Sequence, residues 1–294
     1  THDFPPYLRV YSSGRVERLK KTDFVPPGED PDTGVVSRDA VISPGKLPSY
    51  RVFLPKIENH EKVPLIIYFH GGAFCFQSAF SSEYTKFGNR LAAAARSVVV
   101  SVEYRLAPEH LLPACYHDAF EAAKWVGLHA LPGGGPDPWL NDHADFARVI
   151  ASGDSAGANI AHHVVTRSKN GSDGAFGFEF SGLILIHPYF GMGQRSLLWD
   201  YLFPEGAATS DPRQNPPADN DFPANLRCDR ILICTAELDS LREKGEIYFR
   251  SAKERQWSGE IELFESPGES HVFHLFDPSG DAAVSLMNHI VGFI

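Results

Sequence analysis

The sequence predicts a doubly wound α/β fold, because apolar strands alternate with helical segments over most of its length. The runs VPLIIYF at 63–69 and RILICTA at 230–236 are mainly apolar and show no regular polar alternation. That composition is typical of strands buried on both faces of a parallel sheet. We therefore expect a mostly parallel sheet of about eight strands with helices on both faces. All 294 residues are predicted to form a single domain.

The individual elements follow from the apolar runs and the helical periodicity between them. Near the start, Tyr7–Ser12 and Arg15–Lys20 predict a β-meander that enters the sheet. The predicted strands of the sheet are Tyr50–Leu54, Val63–Phe69, Ser97–Tyr104, Ala147–Ser152, Gly182–His187, Arg230–Ala236 and Glu260–Glu265. The predicted helices are Glu83–Ala95, Ala114–His129, Ala156–Arg167, Leu241–Arg255 and Ala282–Ile294.

Two segments interrupt the alternation and are predicted to form a cap. Residues 1 to about 45 and about 190–226 contain many Pro, Asp and Gly residues and few periodic apolar positions. Ligands of open α/β folds bind beyond the carboxyl ends of the strands. We therefore expect both segments to cover that edge of the sheet.

The charge and cysteine content restrict the partners and the compartment. The formal net charge of -10 opposes binding to nucleic acid and to anionic membrane surfaces. No apolar run reaches the roughly 18 residues of a membrane span, and the first residues lack the regions of a signal peptide. The four cysteines form no CxxC pair, so we expect free thiols and a cytoplasmic protein.

The pentapeptide GDSAG at 153–157 lies between an apolar strand and a helical run. In such a G-x-S-x-G turn the glycines relieve crowding, which lifts the hydroxyl of Ser155 above the sheet. The Ala156 N–H then lies at the N-terminus of the helix. A pentapeptide alone can be structural, but its place between strand and helix favours Ser155 as a catalytic nucleophile.

A second motif, HGGAF at 70–74, follows the strand VPLIIYF. Glycines at this place allow backbone N–H groups to approach a developing oxyanion. HGG after a strand is by itself typical of a turn, but here it precedes the serine turn in the order that a hydrolase requires. The backbone N–H groups of Gly71 and Gly72, together with that of Ala156, are therefore candidates for an oxyanion hole.

Three motifs in sequence, HGGAF at 70–74, EYRLAPEH at 103–110 and GDSAGAN at 153–159, resemble those of the hormone-sensitive-lipase-like α/β-hydrolases. The opening HDFPPYLRVYSSGRVERL and the phrase HVFHLFDP at 271–278 are similar to the plant carboxylesterase group within that family. The resemblance covers nearly the whole chain. It implies the α/β-hydrolase fold and an esterase activity.

The resemblance also carries residue roles. It implies that the N–H groups of Gly72 and Ala73, together with that of Ala156, bind the oxyanion. Where the family usually has a third glycine, this chain has Ala73, which keeps the N–H and adds one methyl group near the acyl site.

A hydrolase of this fold carries its acid and its base on loops after late strands, in the order Ser, Asp or Glu, His. Asp239 follows the strand RILICTA and matches the acid of the family's D-x-L-R pattern. Glu237 is the alternative acid, and Asp239 could instead cap the helix that begins at Leu241. His271 follows the strand IELFES and matches the family's base, with His274 close enough to compete.

These residues predict a carboxylesterase that acts through a Ser155-His271-Asp239 triad and an acyl-enzyme intermediate on small carboxylic esters. This chemistry needs no cofactor. The pair His162-His163 has no nearby carboxylate at metal-ligand spacing, so we predict no metal site there. Arg105 and Glu109 of the second motif are predicted to form a buried structural ion pair or network.

Two other functions stay open. Relatives in this group include gibberellin receptors that lack the catalytic histidine, whereas this chain retains His271. Others include 2-hydroxyisoflavanone dehydratases, which carry Thr at the nucleophile position where this chain has Ser155, and some alkaloid cyclases. Fold and pocket alone do not decide among hydrolysis, elimination and cyclisation.

Overall fold

The computed structural model describes residues 1–43, 46–58, 61–167, 176–204 and 209–294. The strands are β1 (His2–Phe4), β2 (Leu8–Val10), β3 (Val16–Arg18), β4 (Val36–Ser43), β5 (Lys46–Leu54), β6 (Val63–Phe69), β7 (Val98–Glu103), β8 (Ala144–Asp154), β9 (Phe180–Ile186), β10 (Arg230–Ala236) and β11 (Glu260–Ser266). The α-helices are α1 (Ser82–Ala95), α2 (Ala114–Gly127), α3 (Pro138–His143), α4 (Ala156–Arg167), α5 (Leu197–Leu202), α6 (Arg242–Glu254), α7 (Phe273–Phe276) and α8 (Asp281–Phe293).

In the described part of the chain, eight strands form the central sheet in the order β11-β10-β9-β8-β6-β7-β5-β4. The strands from β11 to β7 in this order run parallel to one another. Only β5 and β4 add antiparallel pairs, at one edge. The predicted mostly parallel sheet is therefore confirmed.

Two apolar clusters cover the two faces of this sheet. Every residue of β6 is buried, as expected for a central parallel strand. Side chains of α2, α4 and α6 join the cluster on one face, and those of α1, α7 and α8 join the cluster on the other. The helices on both faces confirm the doubly wound prediction.

The predicted strands Val63–Phe69 and Arg230–Ala236 and the predicted helix Ala156–Arg167 have the bounds that the structure shows. The ends of the other predicted helices differ by two residues at most, which is the ordinary uncertainty at a fraying helix end. Three short helices, α3, α5 and α7, were not predicted, because helices of six residues or fewer are too short to display a periodicity.

The prediction for the start of the chain was wrong in two respects. The meander does not enter the central sheet, because β1, β2 and β3 form a separate antiparallel sheet. The expected cap up to about residue 45 also contains β4, which pairs with β5 at the edge of the central sheet. This edge strand contains three consecutive polar residues, Ser37, Arg38 and Asp39, so its apolar signal was weak.

The remaining boundaries of the predicted cap, and the single-domain assignment, stay predictions. Residues 44–45 and 205–208 of the expected cap segments lie outside the described residues. Among the residues that the structure describes, the helices are all too short or too polar to cross a bilayer.

Candidate active site

Ser155 lies at the turn between β8 and α4, at the carboxyl edge of the sheet. Its φ of 52° is in the left-handed region, which costs a residue with a side chain about 1–3 kcal/mol. The Ser155 N–H donates to the Ile186 carbonyl at 2.9 Å, which holds this conformation. Strand, strained turn and helix thus present the hydroxyl as the sequence motif predicts.

The two glycines of the motif are required by close approach. A Cβ on Gly157 would lie 1.9 Å from the Phe69 carbonyl oxygen, and a Cβ on Gly153 would lie 2.4 Å from the Gly157 carbonyl carbon. Real Cβ atoms do not come so close to a backbone. Only glycine therefore allows the turn to pack against the end of β6.

His271 lies between Ser155 and Asp239, on the loop after β11. Its Nε2 is 3.0 Å from Ser155 Oγ, and its Nδ1 is 2.7 Å from Asp239 Oδ2. The structure therefore brings the three predicted triad residues together from three separate loops. The distances are those of a nucleophile joined to a base and of a base joined to an orienting acid.

Asp239 also accepts the Leu241 N–H at 2.8 Å through Oδ1, so it caps the chain entering α6 as well. Burial raises the pKa of this carboxyl, but the hydrogen bond and charge of His271 and the Leu241 N–H outweigh burial. The pKa of Asp239 is lowered as a result, and the carboxylate stays ionised to hold the Nδ1–H tautomer of the imidazole.

Glu237, the alternative acid, accepts the Gly268 N–H at 2.7 Å. This contact lies on the loop that leads to His271, and the imidazole itself faces Asp239. His274, the alternative base, is buried, and both of its ring nitrogens lack a partner among the described residues. The geometry thus favours Asp239 and His271 over both alternatives.

Gly71 was wrongly included among the oxyanion donors. Its N–H donates to the Tyr84 hydroxyl at 2.7 Å and to Asp154 Oδ1 at 3.1 Å, so it is already used. A Cβ at Gly71 would lie 2.4 Å from Asp154 Oδ2. The motif therefore needs this glycine for close packing, and sequence spacing could not distinguish packing from an oxyanion contact.

Gly72, Ala73 and Ser155 line one cavity. Gly72 has a φ of 105°, and Ala73 follows with a φ of 49°. The Cys75 and Phe76 N–H groups both donate to the Gly72 carbonyl, which holds this tight turn. Ala156 is the first residue of α4, so its N–H has no acceptor within the helix.

A buried network beneath the site was not predicted from the sequence. Asp154 accepts hydrogen bonds from the Tyr68 and Tyr84 hydroxyls, each at 2.8 Å. Burial raises the pKa of Asp154 to about 6, although these hydrogen bonds oppose the shift. Asp154 thereby links the serine turn to the Gly71 backbone. Tyr84 carries no sequence signal for this role, because it lies on an ordinary amphipathic helix.

The cavity beside Ser155 has a volume of about 530 Å³. Apolar side chains such as Leu275 and Phe276 line it near His271, and residues of the N-terminal segment, including Tyr7, line it as well. A volume of this size is typical of small-molecule sites. The N-terminal segment therefore contributes residues to the wall of this cavity.

A second cavity of about 450 Å³ lies among α2, α4 and the segment 211–225. His162 and His163 both line this cavity, and burial lowers the pKa of each to about 3. In the described part of the chain, the side chains close enough to hold a metal ion together are His187, Asp239 and His271. Two of these already bind one another through the 2.7 Å hydrogen bond.

Arg105 and Glu109 were wrongly predicted to pair or to be buried together. Arg105 pairs with Asp118 at 2.7 Å, whereas Glu109 pairs with Arg18 at 2.7 Å. Arg18 also donates to the Cys75 carbonyl at 2.8 Å. The second motif therefore anchors the N-terminal sheet beside the turn that follows HGGAF, a long-range contact that spacing cannot reveal.

Comparison with known proteins places this geometry in a family. A family model described as the alpha/beta hydrolase fold matches residues 66–275. The chain is 40% identical to a 2-hydroxyisoflavanone dehydratase of Glycyrrhiza echinata, over 99% of this chain and 95% of that protein. It is 39% identical to "Probable carboxylesterase 1" of Arabidopsis thaliana, over 99% and 96% of the two chains.

Among solved structures, an esterase of Pyrobaculum calidifontis is 27% identical, with a TM-score of 0.70 over 87% of this chain and 83% of that one. EstE1, a carboxylesterase cloned from a metagenomic library, is 28% identical, with a TM-score of 0.68 over 87% of each chain. The family match, the nearly full-length relatives and the eight-stranded sheet agree: the chain belongs to the α/β-hydrolase fold family.

Proposed function

We propose that this protein is a serine carboxylesterase that hydrolyses small carboxylic esters. The observation that carries the proposal is the continuous hydrogen-bonded line from Ser155 Oγ through His271 to Asp239. The carboxylesterase names of several curated relatives and the esterase structures support the same reaction class.

In the proposed mechanism, His271 Nε2 removes the hydroxyl proton as Ser155 Oγ attacks the ester carbonyl. Asp239 keeps Nδ1–H in place and stabilises the imidazolium that forms. The imidazolium then donates its proton to the leaving alcohol, and an acyl-enzyme remains. Water, activated by the neutral imidazole, releases the acid and restores the serine.

The N–H groups of Gly72, Ala73 and Ala156 are the proposed oxyanion hole. Gly72 and Ala73 line the cavity that contains Ser155, and Ala156 adjoins Ser155 at the start of α4. Preorganised N–H donors of this kind contribute about 3–4 kcal/mol each to transition-state stabilisation. The tight turns at Gly72 and Ser155 fix these donors before the substrate arrives.

Free, mostly buried thiols support a reducing compartment. Cys75, Cys115 and Cys234 are buried, Cys228 is partly buried, and all four are free. Burial raises the pKa of the Cys75 thiol to about 12, so it is an unreactive thiol. We therefore propose that the protein is cytoplasmic. Its proposed partners are the small-molecule esters named above.

The test is turnover of p-nitrophenyl butyrate by the purified protein, followed as release of both nitrophenolate and butyrate. We expect a burst of nitrophenolate if deacylation is slower than acylation. Absence of butyrate release in the wild type would contradict the proposal.

One relative favours a second candidate, elimination of water, because it is a 2-hydroxyisoflavanone dehydratase at 40% identity. The same base could remove a proton from carbon in place of the serine hydroxyl. Incubation with a 2-hydroxyisoflavanone separates the two functions. A dehydratase yields a product lighter by one water, and this product does not depend on acylation of Ser155.

A further inference from the structure

A second histidine supports the loop that carries His271. His187 follows β9 and is only 1% exposed. Its backbone N–H donates to the Cys234 carbonyl at 2.8 Å, and its φ of 46° is left-handed. This conformation, fixed between β9 and β10, directs the imidazole toward the triad.

The His187 side chain forms a hydrogen bond with Val272, the residue that follows His271. Its Nδ1 accepts the N–H of Val272 at 3.0 Å. Val272 has a φ of 50°, a conformation that is rare for a β-branched residue. Such a backbone persists only where its surroundings hold it. The His187 acceptor is one such restraint, one residue from His271.

The hydrogen bond also determines the tautomer of His187. Because Nδ1 accepts, it carries no proton, and the neutral ring is protonated at Nε2. Burial lowers the pKa of His187 well below its ordinary value, and the neighbouring His274 and His271 lower it further. The ring therefore stays neutral and adds no positive charge beside the imidazolium of His271.

His187 lies close to the triad without contacting the nucleophile. Its ring centroid is 5.8 Å from that of His271, and one of its nitrogens lies within 4.8 Å of ligating atoms of Asp239 and His271. It is absent from the residues that line the Ser155 cavity. We therefore expect His187 to act through the loop that carries His271 and not through a contact of its own with a substrate.

We propose that His187 is a positioning residue, which holds the His271 imidazole within hydrogen-bonding distance of Ser155 by accepting the Val272 N–H. The proposal rests on the carboxylesterase function proposed above. A misplacement of about 1 Å in a catalytic group can reduce the rate about 100-fold, so the loss of this one acceptor has a measurable consequence.

The test compares variants of His187 that keep or remove the acceptor. His187→Asn places a carbonyl oxygen near the position of Nδ1 and tolerates the left-handed backbone. His187→Leu fills similar space without an acceptor. With p-nitrophenyl butyrate, we expect kcat to fall roughly 100-fold in His187→Leu, with KM within about threefold, and to remain within about fivefold in His187→Asn.

His274→Leu is the matched control. His274 is also buried, its ring centroid is 5.6 Å from that of His187, and neither of its ring nitrogens has a partner in the described residues. We expect its kcat to stay within about threefold of the wild type, although its melting temperature should change about as much as that of His187→Leu. Equal losses of kcat in His187→Leu and His274→Leu, or in His187→Leu and His187→Asn, would overturn the proposal.

Two further measurements keep the test decisive. The low-field proton resonance of the Asp239–His271 hydrogen bond needs no ester turnover, and it should shift or broaden in His187→Leu but not in His274→Leu. A wild-type protein that does not hydrolyse the ester would overturn the esterase proposal. The proton resonance would still test the positioning role of His187 in that case. If His187→Leu does not fold, His187→Gln moves the acceptor one bond outward and should have a lower kcat than His187→Asn; equal values would overturn the proposal.

Discussion

The cavity beside Ser155 and the cavity beside His163 have similar volumes, about 530 and 450 Å³, and each contains a hydroxyl and a histidine. In the first, Ser155 Oγ meets His271 Nε2 at 3.0 Å. In the second, the Thr166 hydroxyl donates to the His163 carbonyl of its own helix at 3.0 Å, and the His163 ring packs on Tyr116.

The difference lies in the backbone that carries these residues. Thr166 and His163 lie within α4, where a threonine hydroxyl readily bonds the preceding turn. Ser155, directly after β8, and Val272, beside His271 on the loop between β11 and α7, have left-handed backbones. Of these two pairs, a hydroxyl and an imidazole meet only where strained loops at the carboxyl edge of the sheet present them to each other.

The largest expected effect is that of removing the Ser155 hydroxyl, and removal of the Thr166 hydroxyl is its control. Ser155→Ala should reduce kcat for p-nitrophenyl butyrate by about 10⁶, because it removes the nucleophile. Thr166→Val, the matched change in the second cavity, should alter kcat less than about threefold. Steady-state kinetics on both variants test this contrast. Comparable losses of kcat would contradict the assignment of the reaction to the cavity beside Ser155.

The next effect separates the two acids near the base. Asp239→Asn should lower kcat by about 10⁴, because the amide disturbs the imidazole tautomer that the carboxylate holds. Glu237→Gln can still accept the Gly268 N–H and should change kcat less than about tenfold. If kcat fell much further in Glu237→Gln than in Asp239→Asn, Glu237 would be the acid in place of Asp239.

Sequence reasoning was most successful where one local rule fixes both structure and chemistry. The serine turn needs glycine at 153 and 157 for close approach, so its motif predicts the geometry at Ser155. The order of strands likewise predicts that the loops at Asp239 and His271 reach the same edge. These elements could therefore be predicted from one sequence.

Long-range contacts between polar side chains could not be predicted. The partners of Asp154, which are Tyr68 and Tyr84, and the pairing of Arg18 with Glu109 join residues far apart in sequence. The misassigned Gly71 N–H depends on the same buried network. No periodicity or spacing rule reports which distant polar groups meet, because packing of whole elements decides it.

The Asp154 network also predicts a pH-dependent stability. Burial raises the pKa of Asp154 from 3.8 to about 6, so between these pH values the folded protein retains a proton that the unfolded chain has lost. The contribution of Asp154 to stability is therefore greatest below about pH 4 and falls as pH rises through 6. Asp154→Asn lacks this titration.

Relative to the wild type, Asp154→Asn should thus become more stable on going from near pH 4 to near pH 7, because its free energy of unfolding should rise against that of the wild type by on the order of 2 kcal/mol. Urea unfolding of both proteins at the two pH values measures this change. A constant difference between them would show that Asp154 does not titrate in this range.

The smallest expected effect concerns the acyl chain. Ala73 lines the cavity beside Ser155, and its methyl group narrows the site next to the proposed oxyanion hole. We expect kcat/KM for p-nitrophenyl butyrate to exceed that for the laurate ester by about tenfold or more. Faster turnover of the laurate, measured below its critical micelle concentration, would contradict a narrow acyl site.

The most direct test of the central claim is the rate at which a fluorophosphonate modifies Ser155, located by peptide mass spectrometry. A serine hydroxyl reacts quickly at neutral pH only when an adjacent base activates it. We expect one adduct, at Ser155, and a labelling rate that falls about 100-fold or more in His271→Ala but not in His163→Ala. Labelling at another residue, or equal rates in the wild type and His271→Ala, would contradict the claim that the structure assembles an activated serine.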